Sequence, residues 1–211
     1  TQVGSSAASD VYKRQNIDNE LAGFDMKYSF SVNDLVWSFY GQYIGEDGTD
    51  YWPWRTFYLA GTEFIFLKAG KLNSVVIEYV DTYYNGQDIG TNVIYEHSSY
   101  TSGYRYKGSP IGAFIDGDSN YMHLSLNSEI NNVTNIEFSM FYGNLNKDNS
   151  GTKNSWGTAN EDFYGIVLNF DFKINSKTEI GLNLTSLSEA LSYRGKTLDK
   201  NILGLDFKYR F

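Results

Sequence analysis

The last eleven residues, Asn201–Phe211, read NILGLDFKYRF and decide how the rest of the chain is interpreted. Leu203, Leu205, Phe207, Tyr209 and Phe211 share one face of an extended strand. Gly204, Asp206, Lys208 and Arg210 share the other. Such alternation marks a strand with one apolar and one polar side. Soluble half-buried strands show it too, so the upstream segments must arbitrate. Tyr164, Ile166, Leu168, Phe170 and Phe172 oppose Gly165, Asn169, Asp171 and Lys173. Ile136, Phe138, Met140 and Tyr142 oppose Glu137, Ser139 and Gly143, while Met122, Leu124 and Leu126 oppose His123, Ser125 and Asn127. Phe24, Met26, Tyr28 and Phe30 oppose Asp25, Lys27 and Ser29, and Leu35, Trp37, Phe39 and Tyr43 oppose Ser38, Tyr40 and Gln42. Weaker strands are expected at Thr56–Phe66, Ser74–Tyr84 and Thr178–Ser188. The total is about nine, each near the roughly 9–11 residues of a tilted membrane strand.

Connection lengths separate a membrane barrel from a soluble sandwich. Short turns at Asn33-Asp34, Leu67–Lys71, Asn131-Asn132 and Asn175-Ser176 alternate with longer loops at Gly45–Arg55, Asn85–Asn120, Asn144–Glu161 and Ser188–Lys200. Outer-membrane barrels have short periplasmic turns and long extracellular loops. With Phe211 at the periplasmic rim, every short connection falls on that side, whereas a sandwich has no reason to sort loops by parity. The fold expected is all-β: the C-terminal portion of a transmembrane antiparallel up-and-down β-barrel. An odd strand count fits a piece of a larger barrel, whose two open edges need partner strands. Aromatics near strand ends are expected as interfacial girdles. Tyr43, Trp54, Phe57 and Tyr58 would sit at the outer rim, and Tyr28, Phe30, Phe64, Phe66, Tyr209 and Phe211 at the inner. Residues 1–15 show neither alternation nor a signal-peptide pattern. They are expected to be an adaptor-like or disordered tract, leaving 16–211 as part of one barrel domain.

Composition agrees. Aromatics make up 17% of 211 residues with only 2 Pro, which favours strands. No cysteine is present, so thiolate chemistry and disulfides are excluded. The mean hydropathy of -0.41 excludes a bundle of spanning helices, but a barrel escapes that test because alternate residues face a polar lumen. A formal charge of -8 argues against a nucleic-acid partner.

Asn85–Asn120 is longer than a usual connection, and such loops are commonly functional. Tyr95, Tyr100, Tyr104 and Tyr106 are interleaved there with Arg105, Lys107 and glycines. A tyrosine ring offers an apolar face to a sugar and a hydroxyl for hydrogen bonding. Arg105 has the fork geometry to hold a carboxylate or phosphate. Together these six residues suit an acidic polysaccharide. The other reading is a loop folded inward as a plug, its tyrosines packed on the wall, and composition alone leans slightly towards it.

Several short runs resemble the capsule-assembly Wzi family. They are Glu78-Tyr79-Val80-Asp81-Thr82, Tyr95-Glu96-His97, Gly103–Gly108 (GYRYKG), Ile111-Gly112 and Asp116-Gly117-Asp118-Ser119. The similarity spans roughly Tyr58 to Ser128, with later strands alike in style only. It implies an outer-membrane β-barrel of a Gram-negative bacterium that acts as a lectin, attaching capsular polysaccharide to the cell surface through extracellular loops. The terminal alternating Phe also resembles the assembly signal of outer-membrane barrels. It implies the barrel-assembly machinery as a partner, alongside membrane lipid and lipopolysaccharide. The resemblance supplies no residue-level sugar site.

Other constellations are weaker. Asp116–Asn120 imitates the start of an EF-hand, yet Tyr121 stands where the turn glycine belongs and Asn127 where the closing Glu belongs. A turn capped by side-chain hydrogen bonds is the simpler expectation. His97 is followed by Ser98 and Ser99, but sequence neighbours are not triad geometry. No enzyme, metal or cofactor is expected. Inward Asp25, Glu63, Glu78, Glu137 and Asp171, with Lys27, Lys173, Lys208 and Arg210, suit either a charged channel or paired groups filling a barrel. A porin-like diffusion channel is therefore the alternative function.

Overall fold

A computed structural model describes residues 21–46, 55–84, 93–96, 102–147, 154–157 and 159–210. Its long strands are β1 (Leu21–Val32), β2 (Leu35–Glu46), β3 (Arg55–Lys68) and β4 (Lys71–Asp81), then β7 (Asn120–Glu129), β8 (Thr134–Leu145), β9 (Glu161–Lys173), β10 (Thr178–Leu187) and β13 (Asn201–Tyr209). Two tiny hairpins interrupt the loops: β5 (Arg105–Tyr106) with β6 (Ser109–Pro110), and β11 (Ser192–Tyr193) with β12 (Lys196–Thr197). The long strands form one 9-stranded sheet in chain order, each antiparallel to the next. This is the meander expected of a barrel wall, with β1 and β13 at its edges.

Parity along the strands produces the two faces. Register pairs Tyr28 with Phe39 and Phe30 with Trp37, so aromatics meet aromatics on the outer face, where Trp37 and Phe64 lie 4.7 Å apart. Outward Leu203, Leu205 and Phe207 remain 71%, 78% and 68% exposed. An apolar face this continuous is what the lipid-facing side of a membrane barrel requires. The middle of the inner face is largely polar, and many of its groups pair with one another. Tyr40 Oη donates to Glu78 at 3.0 Å, and Asn169 donates to Glu137 at 3.2 Å. Lys27 pairs with Glu63 at 3.2 Å, and Lys208 with Glu179 at 3.0 Å and Asp171 at 3.8 Å. Inward His123 stacks on Tyr121, ring centroids 6.0 Å apart.

Three expectations need correction. Phe57 does not belong to the outer-rim girdle: its register partner is inward Ile44, and it is buried in a cluster with Ile94 and Tyr95. Its neighbour Tyr58 pairs with Tyr43 on the outer face, so one step of parity separates girdle from core. The strand expected at Ser74–Tyr84 runs instead from Lys71 to Asp81. The long connection accordingly opens at Thr82. Trp54, Phe211 and residues 1–15 lie outside the described residues.

Buried side chains concentrate at the long-loop end. Val80, Leu145 and Phe163 project from the wall onto Ile115 and Leu191 from the loops. The loops thus fold over the concave face and build a core there.

Candidate functional site

The β4–β7 connection is closed at its base by Thr82. The Thr82 amide donates to the Ser119 carbonyl at 2.8 Å, its own carbonyl accepts from Asp118 N at 3.1 Å, and its hydroxyl donates to the Asp116 carbonyl at 2.6 Å. Above this base, Tyr95 holds φ at 67°, an unusual backbone for an aromatic residue. Surrounding bonds fix it. Tyr104 N donates to its carbonyl at 2.8 Å, and Ala113 N donates to its hydroxyl at 2.9 Å. A side chain at Gly112 would collide with that hydroxyl, because a Cβ there would sit 2.3 Å from it. The Tyr95 ring meets Phe57 edge-on at 5.3 Å, which nails the loop to the wall.

Asp116 is the hub of the loops. Its carboxylate accepts from Arg105 Nε at 3.1 Å and Nη2 at 2.6 Å, and from Ser155 N at 2.8 Å and Oγ at 2.6 Å. Ser155 belongs to the β8–β9 connection, so two long loops share one carboxylate. Arg105 Nη1 also pairs with Glu96 at 2.7 Å. Burial works against the guanidinium charge, but Asp116, then Glu96, outweigh it and raise the Arg105 pKa further. The guanidinium is consumed inside the fold.

A third loop joins at the same place. Arg194 N donates to Ser155 O at 2.6 Å, and Ser155 Oγ, whose proton goes to Asp116, also lies 3.1 Å from Gly108 O. The Trp156 and Tyr193 rings pack at 4.7 Å, and Trp156 Nε1 donates to Phe114 O at 2.7 Å. The result is a stitched cap with aromatic rings and basic residues towards its outer surface, set on one end of a membrane-type wall.

That arrangement agrees with the comparisons to known proteins. The family model for the capsule assembly protein Wzi matches residues 1–193. The chain belongs to the Wzi capsule-assembly family. Among solved structures, it resembles Wzi of Escherichia coli, an outer-membrane protein involved in group 1 capsule assembly and described as a carbohydrate-binding β-barrel. The TM-score is 0.78 at 23% identity over 92% of this chain. The chain spans 42% of that structure's length, so its open sheet corresponds to part of a barrel wall. No curated protein sequence matches it.

Within this Wzi-family fold, the six residues expected to bind saccharide fall into three groups. Tyr95 is buried, and the Arg105 side chain is 5% exposed; both hold the loop together. Tyr104, Tyr106 and Lys107 are exposed, with Lys107 Nζ 5.3 Å from the Tyr106 ring centroid. Tyr100, like His97, Ser98 and Ser99, lies outside the described residues. Tyr104 stacks on Tyr95 at 6.4 Å and lines a cleft of about 560 Å³ with Asp25, Gln42, Ile44 and Phe57. Asp116 and Ser119 of the EF-hand-like run are occupied by protein donors and acceptors. Among the described residues, no group of three metal-ligating side chains gathers.

Sequence reasoning missed Ser155, Trp156, Tyr193 and Arg194. For Tyr193 and Arg194 one signal is present: Tyr-basic-Gly occurs at residues 106–108 and again at 193–195.

Proposed function

We propose that this chain forms part of an outer-membrane barrel in a Gram-negative bacterium and binds capsular polysaccharide at the cell surface through its long extracellular loops, anchoring it there. The observation that carries this reading is the exposure of Tyr104, Tyr106 and Lys107 on a frame fixed by Tyr95 and Arg105. Aromatic faces held rigid lose little conformational freedom when a sugar stacks on them. The apolar outer face would meet membrane lipid and lipopolysaccharide, and the terminal strand would be recognised during assembly by the barrel-assembly machinery. The role is one of binding, with no turnover required.

The test is the complete barrel carrying Tyr104→Ala and Tyr106→Ala together, with Arg105 left intact. Polysaccharide binding and capsule retention on cells are expected to fall at least about tenfold, a loss of roughly 1.4 kcal/mol. The barrel should still show its heat-dependent gel shift. Unchanged binding and retention with a folded barrel would overturn the proposal. A diffusion channel is the rival, motivated by the charged inner face. Sustained open-pore currents in planar bilayers would favour it.

A further inference from the structure

Two hairpins at the long-loop end carry the same short pattern. Tyr106-Lys107-Gly108 turns between β5 and β6, and Tyr193-Arg194-Gly195 between β11 and β12. Each turn has positive φ at both central residues, 51° and 79° in the first and 51° and 73° in the second. This is the backbone of a type I′ turn, which prefers Asn or Asp followed by Gly. A long cation at the first position gains nothing from the turn, yet both hairpins place one there, directly after a tyrosine.

The fold brings these turns together from opposite ends of the loop set. Tyr193 Oη and Ser109 Oγ lie 3.0 Å apart. The Arg194 guanidinium rests over Gly108, where an added Cβ would stand 3.3 Å from both Nε and Nη2. Lys107 and Arg194 are exposed, and among the described residues neither forms a salt bridge. Arg105, only two residues from Lys107, shows the contrast, since its charge is spent on Asp116 and Glu96. In a chain of formal charge -8, two neighbouring solvent-facing cations lie beside the rings of Tyr106, Tyr193 and Trp156.

We propose that the paired basic turns form a subsite for a carboxylate-bearing sugar of the bound polysaccharide. Arg194 supplies a planar fork for the carboxylate. Lys107 adds a second charge, and the neighbouring tyrosines offer faces to the sugar ring. This rests on the polysaccharide-binding reading and deepens it by naming the charge of the ligand.

The experiment compares the complete barrel with its Lys107→Gln/Arg194→Gln double variant, both checked for the heat-dependent gel shift. The probes are hyaluronan, alginate and polygalacturonate, each native and after chemical reduction of its carboxyl groups. The unaltered protein should bind at least one native polymer at least tenfold more tightly than its reduced form, with binding weakened by salt. The double variant should lose that preference, its affinity for the native polymer falling to that for the reduced one. Equal binding of native and reduced polymers by the unaltered protein would overturn the subsite while leaving polysaccharide binding intact. So would a double variant that keeps the preference. Binding of neither form of any polymer would overturn both readings together. An Arg194→Lys variant that restores part of the preference would support charge recognition.

Discussion

The two ends of the sheet close their strands by opposite means. At the short-turn end two of the connections are capped by their own asparagines. Asn131 Oδ1 accepts from Val133 N at 2.9 Å, and Asn175 Oδ1 accepts from Lys177 N and Thr178 N at 2.9 and 3.0 Å. These are side chains bonding their own backbone two or three residues on. At the long-loop end, satisfaction comes from far away. Asp116 is held by Arg105, 11 residues distant, and by Ser155, 39 residues distant. The short turns are capped within a few residues and add only a few bonds to their neighbours, such as Lys71 to Asn132. The loops instead share a core with the wall through Phe57, Val80, Leu145 and Phe163, and are stitched to one another above it.

If the two ends are independent in this way, Asp116→Ala should damage one and spare the other. It would leave the Arg105 guanidinium buried with its main partner gone, a class of change that costs about 3–5 kcal/mol. Hydrogen exchange and limited proteolysis should open residues 102–119 and 154–157, while the heat-dependent gel shift of the wall persists. Loss of the gel shift as well would mean the loops and wall are one cooperative unit. Met140→Arg probes the opposite side of the comparison. Met140 is outward at the middle of β8, and an arginine facing mid-bilayer costs about 2–4 kcal/mol. Refolding into lipid should weaken by that amount with no change in loop protection. A neutral result would sink the lipid-facing assignment of this face. The smallest effect is expected from Lys27→Gln. Its pair with Glu63 is half exposed, and such pairs contribute about 0–1 kcal/mol. A larger loss in a denaturant titration would show that inward charges matter to the wall more than their exposure implies.

The wall was legible in the sequence because lipid outside and polar groups inside impose a period of two on every strand. The strands of Met122, Ile136, Tyr164 and Leu203 all appear where alternation put them. Phe57 shows the limit of that reading. An aromatic near a strand end suggests the girdle, yet its parity with Leu59 points inward. The site was less legible because its parts meet across the chain. Tyr104, Tyr106 and Lys107 were found by composition and are exposed. Tyr95 and Arg105 look the same in composition but are used as framework. The difference lies in a positive φ at residue 95 and a carboxylate partner at Asp116, and no local pattern encodes either. The repeated Tyr-basic-Gly was visible in the letters, but nothing in them said that the two copies touch.

The Asp116 junction has a mechanical side. Because the connections carrying Tyr106, Ser155 and Arg194 are tied at one point, a pull on any of them is divided among strands β4, β7, β8, β9, β10 and β13. Those strands run towards the load, and their ladder bonds lie across it. Tension therefore arrives as shear over many bonds at once, where an untied loop would let it peel them one by one. For a loop surface proposed to hold a long polymer, that geometry would spread the load over the wall.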